Sequence, residues 1–425
     1  MKMDDRITII HAPNGFGKTA ILRMIDGLFN SRYFELRAFP FKAFGVEFDD
    51  GQILTVTKRR LLDGARADHP NRPIRESLTF QANGHGPFEK KPTRDKEARH
   101  FPIEAIEHEV PGVVRIAEDL WRTPNGETLE SDELFERYQD FFPFRMPDSK
   151  DEPSWFRELK GDVDVRFIRT DRLIALPQSQ ARLRRHGRAT ATPTVMNYSE
   201  ELTLEIKSTL AKYAELSQSL DRTFPSRLVS QPPLADTTKR QISAQIEGFE
   251  LKRSRLVDAG LLDRERDDQF HVPQSIDESK LSVLAVYVRD VEQKLGVFDA
   301  LASKIDLFKT IINQRFHHKQ MAISKESGIT LTTDAGQPLQ ATSLSVGEQH
   351  EVVLLYELLF KARPDSLILI DEPEISLHIA WQEQFLRDLH EMTRLSQFDV
   401  LIATHSPQII SDRWDLTVEL RDAEA

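Results

Sequence analysis

The stretch ITIIHAPNGFGKTAILRMIDGLF, from Ile7, limits what this chain can become more than any other. A short apolar run reads as a strand buried on both faces. It passes through a loop holding Gly15 and Gly17 into a helical pattern that begins at Lys18. Such a loop suits phosphate. Glycines let backbone N–H groups curl around the oxyanion, and the helix N-terminus adds positive dipole charge. In that setting Asn14, Gly15, Phe16 and Gly17 form the cradle. Lys18 reaches the β- and γ-phosphates, and Thr19 ligates magnesium. The general pattern G-x-x-x-x-G-K-[ST] is met except at its first position, where Ala12 stands for glycine.

A strand buried on both faces needs partners, and the sequence supplies them. VRFI, LILI and DVLIAT are further buried runs, separated by helical patterns. This alternation argues for an α/β fold with a mostly parallel sheet. AFGVEFDDGQILTVTKRR reads as a hairpin turning at Asp50-Gly51, and QMAIS and ITLTT as another flanking Ser327-Gly328. Residues 61–103 are polar and read as a surface excursion, and residues 104–142 carry helical patterns. The middle of the chain changes character. Leu202, Ile206, Leu210, Tyr213, Leu216 and Leu220 fall at helical spacing. So do Leu284, Val288, Val291, Leu295, Phe298, Ala302 and Ile305, with a charged helical stretch near 237–257 between the two runs. The layout divides into an N-terminal lobe (1–197), a helical insertion (198–320) and a C-terminal lobe (321–425). The insertion is either a short antiparallel, coiled-coil-like arm or a helical subdomain packed on the core.

Three more motifs can meet a phosphate. LILIDE brings Asp371 and Glu372 to the C-terminal end of a buried strand, where α/β sheets bind ligands. Asp371 would hold magnesium and Glu372 would act as general base on a water. SLSVGEQ opens a helix, with Ser345 at the N-cap and Glu348 three residues on, as in a capping box. Capping is the plain reading; the sharper one is that this helix end, with Ser345, Gly347 and Glu348, binds a γ-phosphate. His405 ends the last buried run and should lie beside the Glu372 strand.

In this order the motifs resemble those of the ABC ATPase superfamily. APNGFGKT is similar to its Walker A loop, LSVGEQ to its signature, LILIDE to its Walker B strand, Ser376-Leu377-His378 to its D-loop and His405 to its switch histidine. The long separation of Lys18 from Ser345, filled with helical material, resembles the SMC, RecF and OLD branch. LSVGEQHEVVLLYELLF and LIDEPEISLHIAWQEQFL look most like stand-alone ATPases of bacterial anti-phage systems such as the Septu ATPase subunit. The resemblance implies ATP and Mg2+ as ligands, ATP hydrolysis, and a signature that acts on the nucleotide of a second copy, hence a dimer or larger homo-oligomer. Asp171 is the best Q-loop equivalent after VRFI. Val346 departs from the small residue common in the signature, and only Met1 to Arg6 stand where the family has lead-in strands.

Partners follow from what surrounds these motifs. The net charge of −11 argues against a globally basic nucleic-acid binder. Arg182, Arg184, Arg185 and Arg188 form the densest basic cluster, either a grip on DNA backbone or a solvated loop. OLD-type nucleases carry a C-terminal Toprim domain, for which the chain after His405 leaves no room. His317-His318 sits in a helical run without matching nuclease ligands. A separate effector or nuclease chain is therefore expected. No run is apolar enough to span a membrane, and the lack of cysteine fits a cytoplasmic setting. A RecF-like repair ATPase that binds DNA and an ATP-binding scaffold with little turnover stand as alternatives.

Overall fold

The computed structural model describes residues 5–13, 15–60, 76–91, 113–117, 120–123, 128–130, 134, 152–161, 163–168, 174–175, 192–230, 239–263 and 281–420. It begins with β1 (Ile7–His11), α1 (Lys18–Phe29) and α2 (Tyr33–Ala38). The antiparallel strands β2 (Ala43–Glu47), β3 (Ile53–Arg60), β4 (Glu76–Ala82) and β5 (Phe88–Lys90) form a second sheet. A small meander follows, made of β6 (Val114–Ala117), β7 (Leu120–Arg122) and β8 (Thr128–Glu130). Then come α3 (Ser154–Gly161), β9 (Val165–Ile168), the short pair β10 (Ile174–Ala175) and β11 (Thr192–Pro193), and four helices: α4 (Thr194–Val229), α5 (Lys239–Asp258), α6 (Leu281–Gly296) and α7 (Asp299–Arg315). The last part holds β12 (Lys319–Ser324), β13 (Gly328–Thr333), β14 (Pro338–Leu339), α8 (Val346–Tyr356), β15 (Leu367–Asp371), α9 (Ile379–Ser396), β16 (Asp399–Thr404), α10 (Pro407–Ile410) and β17 (Thr417–Glu419).

The central sheet is parallel throughout, in the order β17-β1-β16-β15-β9. Its strands alternate between two cores, as a period of two requires. Ile10, Leu369, Leu401 and Ala403 point to one face, where Leu22 and Ile25 of α1 cover them. Ile7, Ile9, Ile368, Ile370, Val400 and Ile402 point to the other face. There they pack with residues of α4, α7, α8 and α9. Each fully buried Ile or Leu contributes about 1.5–3 kcal/mol, so a sheet covered on both sides is the natural resting place for these runs.

The inserted helices share that second core. Val195, Tyr198, Leu202 and Ile206 at the start of α4 belong to it, with Leu256 of α5, Leu295 of α6 and most apolar residues of α7. Farther out, Ile242 and Ile246 of α5 meet Val288 of α6 in a separate small cluster. The 36 residues of α4 make a rod about 54 Å long at 1.5 Å per residue, with Pro225 inside its last turns.

Several expectations need correction. Residues 61–103 are not simply a surface excursion. Within them β4 pairs with β3 and buries Leu78, Phe80 and Ala82. The helical reading of 104–142 gives way to the β6–β8 meander, with Trp121 fully buried; most other residues there lie outside those described. The apolar run from Leu284 to Ile305 is two helices, broken between Gly296 and Asp299. His317 and His318 lie past the end of α7 rather than in a helix, and His318 has a φ of 61°. No helix among the described residues is long and apolar enough to cross a membrane.

Candidate nucleotide site

The site is assembled at the C-terminal ends of three adjacent strands. In the register, His11 of β1 stands beside Thr404 of β16, and Ala403 of β16 beside Asp371 of β15. The loop after β1, the loop after β15 and the residues after β16 therefore open onto one edge.

The first loop takes its shape from Gly15 and Gly17, whose φ angles are +90° and +83°. An added Cβ would meet nothing closer than Ala20 Cβ at 4.0 Å from Gly17. The demand for glycine is thus conformational rather than spatial. Ala12, buried at the end of the strand, lies outside the left-handed region. A side chain at this position carries no backbone strain, which accounts for the departure from glycine there. Lys18, only 5% exposed, donates through Nζ to the carbonyls of Ala12 at 2.7 Å and Pro13 at 3.2 Å. Thr19 donates its hydroxyl to Asp371 Oδ1 at 2.9 Å. That hydrogen bond joins residues 352 positions apart and ties the first and second motifs into one site.

Asp371 ends a strand that is buried from Ile368 onward. Burial pushes its carboxyl above the usual range, and the nearby Glu372 and Glu374 add to this. The Thr19 hydrogen bond and the Lys18 charge act in the opposite direction. Glu372 follows with φ 40° and ψ 62°, left-handed geometry that is strained for a non-glycine residue. Its amide donates to Ala403 O at 2.8 Å, and Pro373 opens a 3-10 turn behind it. His405 comes next to this pair: its Nδ1 lies 3.6 Å from Glu372 Oε1 and 3.2 Å from Glu374 Oε1. Glu374 also accepts from the Thr404 hydroxyl at 2.6 Å and the His405 amide at 3.0 Å. The sequence reading missed Glu374. Its signal was a third carboxylate directly after the Asp371-Glu372-Pro373 turn.

The signature residues form a different network. Ser345 caps α8 in a complete capping box with Glu348. Lys319 of β12 holds both oxygens of Glu348, at 2.8 and 2.7 Å. Among the described residues, no hydrogen bond or ion pair joins Ser345, Gly347 or Glu348 to Lys18, Thr19 or Asp371. Ser345 is exposed, and so is its neighbour Val346. Exposed apolar side chains also mark the other motif loops: Phe16 in the first, and Ile375 and Ile379 either side of the D-loop-like segment.

Asn14, Asp171, Arg182, Arg184, Arg185 and Arg188 lie outside the described residues. Lys58, in the basic end of the first hairpin, is used internally. It donates to Arg37 O and Phe39 O, pairs with Glu76 at 3.1 Å, and sits over the Phe41 ring.

The site fits magnesium by donor chemistry. A threonine hydroxyl and a buried carboxylate converge, with two more carboxylates nearby, and magnesium takes one or two protein oxygens alongside phosphate and water.

Comparison with known proteins places these motifs in a family. The family model described as "AAA domain, putative AbiEii toxin, Type IV TA system" matches residues 147–411. That stretch includes Ser345, Asp371, Glu372 and His405; Lys18 and Thr19 lie outside it and join the site through the Thr19–Asp371 hydrogen bond. No curated protein matches the chain. Among solved structures, the chain is similar to an Smc head domain with an extended coiled coil from Pyrococcus furiosus, bound to the C-terminal domain of ScpA, at 10% identity. The match covers 95% of this chain and 84% of that one, with a TM-score of 0.30. It is also similar to the SMC head domain of Thermotoga maritima at 11% identity, covering 98% and 86%, with a TM-score of 0.31. An SmcHead bound to the C-winged helix domain of ScpA matches at 11% identity, covering 98% and 87%, again at 0.31. The family model spans more than half of the chain, and the chain belongs to that AAA-domain ATPase family.

Proposed function

We propose that the chain binds ATP with Mg2+ and hydrolyses it in a site completed by a second copy, as the ATPase component of a bacterial defence system acting with a separate effector chain. The observation that carries the reading is the Thr19–Asp371 hydrogen bond, which holds a phosphate-loop hydroxyl and a strand-end carboxylate together beside Lys18. Thr19 and Asp371 would hold the ion, which when bound neutralises phosphate charge. Gly15 to Lys18 would cradle the phosphates. Glu372, one-quarter exposed, would orient and deprotonate the attacking water, and His405 would face the transferred phosphate.

A site shared between copies is supported by the exposed Ser345 and by the apolar side chains of Phe16, Val346, Ile375 and Ile379 in the motif loops. Single exposed apolar residues are ordinary, but here four fall in or beside the segments expected to meet a partner. The division into two lobes (1–197 and 321–425) around a helical insertion (198–320) gives ATP-driven engagement something to move. The defence role is supported by the family description, whose words set this domain in a toxin–antitoxin system, and by the likeness of the motif segments to anti-phage ATPases.

The test is ATP turnover by the purified chain with magnesium, beside Lys18→Ala, Ser345→Arg and an equal mixture of the two. Each variant alone should be inactive. In a random dimer mixture, half the dimers are mixed and each has one intact site, so recovery should approach about one quarter of the wild-type rate. Two inactive variants that stay inactive when mixed would refute the shared site. Active Lys18→Ala protein would refute the nucleotide site itself.

A further inference from the structure

Glu374 is the carboxylate that the proposed chemistry leaves without a role, and its surroundings suggest one. Its side chain is only 6% exposed. All of its side-chain hydrogen bonding falls on one oxygen: Oε1 takes the Thr404 hydroxyl at 2.6 Å and the His405 amide at 3.0 Å, and stands 3.2 Å from His405 Nδ1. The other oxygen, Oε2, is buried with no hydrogen-bond partner among the described residues. An ordinary structural staple would spread its acceptors to avoid that orphan, because a buried unsatisfied oxygen is costly. Here the arrangement concentrates acceptor capacity at the base of the imidazole.

The histidine ring stands between two carboxylates, and they are not equivalent. Glu374 is fixed by two donors from β16 and the residue after it. Glu372 sits in strained backbone, one-quarter exposed, with Oε1 at 3.6 Å from the same nitrogen. A proton on Nδ1 goes to the nearer and better anchored acceptor. Without Glu374, no carboxylate oxygen among the described residues stands within hydrogen-bond reach of Nδ1, since Glu372 Oε1 lies 3.6 Å away, and the ring reverts to the Nε2–H tautomer that a free imidazole side chain favours.

We infer that Glu374 is a positioning residue: its Oε1 accepts from the Nδ1–H of His405, which fixes the ring direction and the tautomer, so that an unprotonated Nε2 is left to face the nucleotide. The inference rests on the proposed hydrolytic role of Glu372 and His405 for its kinetic consequence, but not for its structural one. A carboxylate that orients a histidine through Nδ1 works by selecting the tautomer and the ring direction, and a misplacement of about 1 Å in a reacting group costs on the order of 100-fold in rate.

The experiment compares wild type, Glu374→Gln, Glu374→Met and Glu374→Ala. Chains labelled with 15N-histidine are examined at mildly alkaline pH. His405 is identified by the signals missing from His405→Asn. Wild type and Glu374→Gln, which keeps the Oε1 acceptor, should carry the His405 proton on Nδ1. Glu374→Met, which keeps the volume, and Glu374→Ala should move it to Nε2; whichever retains the wild-type circular dichroism is the one to read. In turnover, that variant should lose about 100-fold in kcat with KM for ATP within about threefold, and Glu374→Gln should recover most of the loss. An unchanged tautomer in a folded Met or Ala variant overturns the inference, as does a kcat within twofold of an active wild type. A wild type with no turnover sinks the hydrolytic reading instead, and the tautomer comparison still decides the role of Glu374.

Discussion

Arg315 should be among the most costly side chains in the protein to remove alone, and much cheaper to remove with its partner. It ends α7 with its side chain 3% exposed, between Glu351 of α8, 1% exposed, and Asp388 of α9, 17% exposed. Burial lowers the pKa of its guanidinium from the usual arginine value, against the pull of Asp388. Burial likewise raises the Asp388 carboxyl. Among the described residues, Glu351 Oε2 is already without a hydrogen-bond partner. Arg315→Met leaves Glu351 as an uncompensated charge with no route to water, and breaking such a pair costs about 3–5 kcal/mol. Arg315→Met with Glu351→Met removes both deep charges and keeps apolar volume, while Asp388 can still reach solvent. The double variant should lie within about 1–2 kcal/mol of wild type. Urea unfolding followed by circular dichroism reads both. With a slope of about 3 kcal/mol/M, the single variant shifts its midpoint by roughly 1–1.7 M and the double by well under 1 M. A double variant as unstable as the single, or a single variant within about 1 kcal/mol of wild type, would refute the reasoning that the cost is an orphaned buried charge.

Three shorter predictions follow from particular residues. Gly17→Ala should cost about 1–2 kcal/mol of local left-handed strain and weaken nucleotide binding about tenfold by fluorescence titration, whereas Ala12→Gly should leave affinity within about twofold. Gly260→Ala should destabilise by about 3 kcal/mol or more, read as a lower melting temperature. Its φ is +74° and the new Cβ would stand 1.9 Å from the backbone oxygen of Ile323. For Glu348, burial acts to raise the pKa, but hydrogen bonds from Lys319 and Ser345 outweigh it and hold the carboxyl below its usual value. A depressed folded-state pKa gives stability that is present above the unfolded value of about 4.3 and lost as pH falls through the folded one. The gap in melting temperature between wild type and Glu348→Gln should therefore be widest near neutral pH and close as the pH drops below about 4.

What the sequence made legible was what local chemistry decides. The glycines before Lys18 announce a backbone conformation, and the runs before Asp371 and His405 announce strands buried on both sides. Their common edge followed from the parallel sheet. Glu374 stood in view as a third carboxylate, but its task was not legible, because that depends on the register of β15 against β16 and on the turn after Glu372, neither of which a spacing rule states. The β6–β8 meander was misread because Val113, Val114, Ala117, Leu120 and Trp121 also fit a helical repeat; Pro124-Asn125-Gly126 was the turn signal that argued otherwise. Strand β4 was passed over because SLTFQA lies among polar stretches whose composition outweighed its alternation.

One helix connects the outer parts of the fold to the site. At its start α8 holds Ser345 as N-cap, and Lys319 of β12 anchors Glu348 in its first turn. In its middle Glu351 pairs with Arg315, where α7 returns from the insertion. At its end the helix passes into a π turn at Glu357–Lys361, and there Glu357 receives the hydroxyl of Tyr198 from the root of α4 and Arg166 Nε of β9 at 2.7 Å. Tyr198 also stacks on Tyr356 with ring centroids 4.3 Å apart. The helices at the two ends of the insertion, α4 and α7, are thus each bonded to the element that carries Ser345. An insertion that shifts as a body must either carry α8 with it or break a buried ion pair, and the second course costs about 3–5 kcal/mol. The cheaper course moves Ser345, so in the shared site proposed above, closure of a second copy over the nucleotide and displacement of the helical insertion would be the same event, felt at both ends of one helix.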